Sequence, residues 1–166
     1  MDFSSSSYTS VRDAKALVST GAGASFVWSD ARALGFGPLD KTHEEFYRVT
    51  FDLLTCTFAG ATDALSAFEH HAVEHFEQEN EWMRETLFPP RDCHIEEHDA
   101  VLSSVRQVRE GFASGTLGLD TVHDLAMELF SWFPGHADYL DSALAAWMTK
   151  RTLGGKPVVL RRSLKA

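Results

Sequence analysis

HFEQENEWMRETLFPPRDCHIEEH, residues 75–98, carries a metal-ligand pair on each side of a break in the chain. His75 and Glu79 stand four residues apart before the break, and His94 and His98 four apart after it. A helix sets residues i and i+4 side by side on one face. Phe88-Pro89-Pro90 stops the first helix, since proline lacks an N–H and clashes with the turn before it. Two helices folded back across that break point three imidazoles and a carboxylate at one place.

The pattern continues outward in both directions. His43 lies upstream, and His136 with Asp141 lies downstream. Five of the eight histidines thus fall into four groups on four successive segments. Imidazole nitrogen and carboxylate oxygen are ligands that borderline first-row metals prefer. One HxxxH arises readily in an acidic helical protein; four such groups in series do not. The last pair is the awkward one, because i+5 turns about 140° from its starting residue on an ideal helix. A kink at Pro134-Gly135 is expected to relieve it.

The segments between these groups read as amphipathic helices. LGFGPLD (34–40) is a turn, after which Asp40 or Thr42 is expected to cap a helix with the stripe Phe46, Val49, Leu53, Leu54 and Phe58, closed by Gly60. Thr62 is the expected cap of a second helix reaching about residue 86, with Leu65, Phe68, Ala72, Phe76 and Met83 beside its ligands. A third is expected from about 92 to 112, and a fourth from about 121 to 148 through Leu125, Leu129, Trp132, Phe133 and Leu144. Four long helices on short loops give an all-α, up-down-up-down four-helix bundle, whose core is where such folds build metal sites. The expected organisation is an N-terminal extension (1–27) containing one short helix in VRDAKALVST, the bundle (28–150), and a basic tail (151–166).

Composition narrows the function. At 166 residues, 44% of them hydrophobic, the chain is long enough for one sizeable core. A net charge of −9 argues against nucleic acid or an anionic membrane as partner. The start, MDFSSSSYTS, shows no secretory signal, and two cysteines make no disulfide framework, so a cytoplasmic, monomeric protein is expected. Seven nitrogen and oxygen ligands suit two metal ions if Glu79 and Asp141 bridge. The ferritin-like arrangement, with ExxH on two helices, is absent. Neutral imidazoles add no negative charge, so a histidine-rich site stabilises a ferric state less than a carboxylate-rich one and favours reversible chemistry with dioxygen.

At these residues the chain resembles the hemerythrins, specifically the bacterial hemerythrin-like proteins. The matching stretches are Trp28, LGFGPLDKTH (34–43), HFEQENEWM (75–83), HIEEH (94–98) and WFPGHADYLDSAL (132–144). The resemblance implies a non-heme di-iron centre bridged by an oxo or hydroxo group and by Glu79 and Asp141. His94, His98 and His136 would complete one iron; His43 and His75 would hold the other, with a position left open for O2. Phe133, Trp132, Met83 and Phe46 would line the oxygen pocket. Three positions depart from the family's usual pattern: Thr42 replaces a glutamine, Asn80 an acid, and Phe133 an aliphatic residue.

The remaining polar residues have ordinary readings. His71 is a polar residue at the bundle edge or a partner of a ligand; His70 and His123 are expected exposed. Asp40 and Tyr139 either hydrogen-bond ligand imidazoles or serve capping and packing, and Cys93 is expected half-buried. The expected function is reversible O2 binding for storage, delivery or sensing rather than enzymatic turnover. The alternatives are a di-iron enzyme acting on peroxide, nitric oxide or O2, and a sensor that signals through its terminal extensions.

Overall fold

The computed structural model describes residues 26–155. The helix expected in VRDAKALVST and the tail from residue 156 lie outside these residues. The described residues are helical and contain no strand. Helix α1 spans Gly37–Thr55, α2 Ala61–Glu85, α3 Arg91–Ala113, α4 Leu119–His136 and α5 Ser142–Leu153. A five-residue π turn, Ala137–Asp141, joins α4 to α5 without a loop, so the two act as the fourth helix of the bundle. Helix α1 packs on α2 and α4, and α3 on α2 and α4, closing the square. No described helix is long and apolar enough to cross a membrane.

Helix α1 starts earlier than expected, with Pro38 in its first turn, where the missing N–H costs nothing. Asp40 does not cap it. Its carboxylate instead accepts from the N–H groups of Leu34 at 2.6 Å and Gly35 at 2.9 Å, tying down the preceding turn. Gly35 has φ of +84° there, a conformation that suits glycine. At the other end, the chain leaves α1 at Thr55, and Phe58 drops off the expected apolar stripe. It sits exposed in the 3₁₀ turn Phe58–Gly60, against Phe112. Helix α2 begins at Ala61 with Gly60 as its cap residue, two positions before the expected cap Thr62.

Pro134 is accommodated inside α4, and the break in regularity comes after it, in the π turn. Beside the proline expected to kink the helix, the structure thus places a change of helical register. Such bulges insert one extra residue while the flanking helix continues.

The core divides in two. A larger cluster holds Phe46, Leu53, Leu65, Phe68, Phe76, Val105, Phe130 and Phe133, with Phe26 packed on Phe130 at 5.0 Å. A smaller one holds Phe36, Leu39, Met83, Phe88, Leu144 and Met148. Along α1, α2 and the α4–α5 element, the polar residues His43, Glu79 and Asp141 fall between the two, with His136 one turn before Asp141. Burying that polar layer without partners would be costly, so what satisfies it is the central question of the fold.

Candidate metal centre

All seven expected ligands are buried, and the structure brings them together. Each arrives for a local reason. His43 is on the inward stripe of α1, three residues before Phe46; His75 and Glu79 share one face of α2; His94 and His98 share one face of α3. His136 immediately precedes the π turn and Asp141 is its last residue; the turn closes i→i+5 hydrogen bonds and so aligns residues five apart as an α-helix aligns those four apart.

The ligand atoms form two groups. In the first, the Nε2 atom of His136 lies 3.1 Å from that of His94 and 3.2 Å from that of His98. Asp141 Oδ1 is 3.0 Å from His94 Nε2 and 3.2 Å from His136 Nε2. Glu79 Oε2 is 3.2 Å from His94 Nε2 and 3.4 Å from His98 Nε2. In the second group, Asp141 Oδ2 lies 3.1 Å from His43 Nε2, and Glu79 Oε1 lies 2.6 Å from His75 Nε2. Each carboxylate therefore turns one oxygen to each group.

These contacts are the wrong kind for a hydrogen-bonded network. Three imidazole Nε2 atoms converge where at most one proton can serve each contact. Both nitrogens of His43 and His75 and both oxygens of Glu79 and Asp141 are buried without hydrogen-bond geometry to any partner among the described residues. Orphaned buried polar atoms in such number are rare in folded proteins. A metal–nitrogen bond of about 2.1 Å places cis neighbours of an octahedron about 3.0 Å apart, close to the spacings of the first group. The donor set and its geometry fit metal ions.

Electrostatics agree. Burial and the neighbouring Asp141 charge both act to raise the Glu79 pKa, and contacts with His75 and His94 overcome them, holding the carboxyl well below its usual range. Burial likewise opposes ionisation of Asp141, and His136, His43 and His94 reverse it. Both carboxylates are thus anionic at neutral pH, as ligands must be. Burial alone would lower His94, but Asp141 and Glu79 raise it to about 9, marking where positive charge is wanted. Burial keeps His98 below its ordinary value.

Two imidazoles have acceptors on their outer nitrogen. His98 Nδ1–H donates to Asn80 Oδ1 at 2.9 Å, and His136 Nδ1–H donates to Glu97 Oε2 at 2.8 Å. Each bond fixes Nδ1 as the protonated nitrogen and leaves the Nε2 lone pair facing inward. Aromatic rings hold them too: Phe76 stacks on His98 at 4.1 Å and 4°, and Trp132 lies against His136 at 4.4 Å. Asp40 and Tyr139, the partners considered from sequence, take no such part; Tyr139 is 81% exposed. In sequence Asn80 stands out only as a departure from a family pattern, and Glu97, directly before His98, carries no signal.

The expected pocket residues separate. Phe46 and Phe133 stack at 4.1 Å, and Phe133 meets the His43 ring edge-on at 4.9 Å. Trp132 serves His136. Met83 belongs to the smaller cluster and so is separated from Phe46 and Phe133 by the ligand layer, because it lies one helical turn past Glu79. His71 is mostly buried beside His75 and Phe46, with Glu45 Oε2 3.9 Å away; burial, then His75, lowers its pKa to about 4. His123 is corrected from exposed to buried, its Nε2–H donating to the Cys56 carbonyl at the end of α1. Cys93 is exposed rather than half-buried.

Comparison with known proteins follows the same lines. No solved structure matches the chain. Bacteriohemerythrin of Ralstonia nicotianae (strain ATCC BAA-1114 / GMI1000) is 37% identical over 124 residues, covering 75% of this chain and 89% of that protein. The family model "Hemerythrin HHE cation binding domain" matches residues 35–148, from the turn before α1 into α5. With the fold, the buried cluster and both matches in agreement, the chain belongs to the hemerythrin family of non-heme iron-binding proteins.

Proposed function

We propose that the bundle binds dioxygen reversibly at two irons, for storage, delivery or sensing rather than for turnover. The observation that carries this reading is the split of Glu79 and Asp141, each with one oxygen toward the three-histidine group and one toward the two-histidine group. Carboxylates so placed would each be shared between two ions. A pair of irons, when bound, supplies the reversible redox chemistry toward dioxygen.

The chain's own residues do the rest. His94, His98 and His136 would supply three nitrogens to one iron and His43 and His75 two to the other, so the second would have fewer protein ligands. That is the side walled by Phe46 and Phe133. Stacked rings there exclude water and anions, which carry a desolvation cost, while admitting a small apolar gas. Neutral imidazoles keep the site from favouring the ferric state too strongly.

Iron loading under anaerobic conditions, followed by elemental analysis and an optical spectrum before and after air, tests the reading. About two irons per chain and a persistent oxy spectrum are expected. A ratio of one or zero with the ligands intact would overturn the di-iron assignment. Rapid oxidation with continued O2 consumption would instead make the protein an enzyme.

A further inference from the structure

His136 ends α4, two residues after Pro134 and one before the π turn. Its ring hangs from the least regular backbone of the bundle, so helix geometry alone does not fix its angle. Trp132 supports one face of the ring, and Glu97 takes the Nδ1 proton's hydrogen bond at 2.8 Å. Glu97 comes from α3 with its side chain 48% exposed, so the bond spans two helices. Below it a groove of about 240 Å³ opens between α3 and α4, bordered by Glu97, Val101, Leu129 and Trp132. Among the described residues, His136 alone of the five histidines of the centre has a carboxylate on its outer nitrogen. His98 has the neutral Asn80, while Nδ1 of His43, His75 and His94 has no partner among the described residues.

We infer that Glu97 is a positioning residue for the metal centre: it fixes His136 as an Nε2 ligand across the α3–α4 groove and makes it the most strongly donating of the five imidazoles. A carboxylate on Nδ1–H draws on that proton and raises the basicity of Nε2. The bond also replaces the orienting role that a regular helix would have played. The inference rests on His136 being a ligand and asks nothing of O2.

The full chain, stripped of metal, is titrated with cobalt(II) against a competing chelator, in wild type and in Glu97→Ala, Glu97→Gln and Glu96→Gln. Loss of such an outer partner lowers metal affinity by about 10- to 100-fold, which is the drop expected for Glu97→Ala. Glu97→Gln keeps an acceptor but no charge and should fall between that variant and wild type. Glu96→Gln removes the same charge from an exposed neighbour and should stay within about twofold of wild type if the contact, and not surface charge, is what matters. In the iron-loaded protein, the midpoint potential should rise in both Glu97 variants and stay put in Glu96→Gln. Melting of the metal-free variants by circular dichroism checks that they fold. Wild-type affinity and potential in Glu97→Ala would overturn the inference while leaving the metal centre intact; so would an equal loss in Glu96→Gln. A wild-type chain that binds neither cobalt nor iron would overturn the metal reading first, and this inference with it.

Discussion

Helix α2 and the α4–α5 element each deliver one histidine and one carboxylate to the same centre, by opposite means. In α2 the pair is His75 and Glu79, four apart on an unbroken helix of 25 residues. In α4–α5 it is His136 and Asp141, five apart across a π turn that follows an internal proline. The regular helix aims its ligands by periodicity. The irregular one aims them by a local change of register and then holds the histidine by side-chain support, from Glu97 on α3 and from Trp132 one turn back on α4 itself. Irregular backbone at this site is thus accompanied by side-chain support from one neighbouring helix and from the preceding turn of its own.

The sharpest way to break the comparison is to remove one carboxylate from each element. Glu79→Ala and Asp141→Ala should both lower metal content from about two ions per chain to one or none, because each leaves two cation positions with less shared negative charge in a low-dielectric core. Elemental analysis decides it. If only one variant loses metal, the two elements are not equivalent and one carboxylate is not a bridge. A variant that keeps both ions and the wild-type visible spectrum would remove its carboxylate from the ligand set.

A gentler test changes spacing and leaves every ligand in place. Tyr139 is 81% exposed in the π turn, and deleting it gives His136 and Asp141 the i+4 spacing of α2. The flanking helices already run on continuously, so the deletion should convert the turn to α-helix with both ligands still facing inward. Metal content should stay near two. Relief of the bulge by about 1 kcal/mol would raise the melting temperature by about 2–4 °C in a domain of this size. Loss of an ion would instead assign the π backbone a direct part in placing Asp141.

The same contrast explains what was legible in the sequence. Ligands on regular helices announce themselves, since His75/Glu79 and His94/His98 need only the helical period. So do the four helices, whose apolar stripes and Pro and Gly breaks locate them to within a few residues. The π turn was not legible, because Pro134-Gly135 reads as a kink and nothing in ADYLD signals an extra residue in the turn. Glu97 and Asn80 were hidden for a different reason. Their partners, His136 and His98, are 39 and 18 residues away, and only packed helices reveal such a contact. His123 misled likewise: one imidazole near a helix start looks solvated until the end of α1 is laid against it. Met83 shares a face with Glu79, and face alone does not tell on which side of a polar layer a residue will lie.

The smallest expected effect on metal content comes from Phe133, one turn before His136 and in contact with the two-histidine side rather than with its own helix's ligand. Its ring stacks on Phe46 at 4.1 Å and 17° and meets His43 edge-on, so α4 contributes to the far position through a wall instead of a ligand. Phe133→Leu restores the aliphatic residue usual among the proteins this chain resembles, and as a modest change in core volume it should cost about 1 kcal/mol. Both ions should remain, because no ligand moves. The smaller, more flexible side chain opens space beside His43, and polar species gain most from that, since the stacked rings penalised them more than O2. Azide should therefore bind the oxidised variant several-fold faster, and its oxy form should decay faster, in stopped-flow mixing followed by timed spectra. Unchanged azide kinetics would make Phe133 ordinary core and move the route to the open position elsewhere. Metal loss in this variant would mean that the wall also holds His43 in place, and that both elements support the partner's ligands as well as their own.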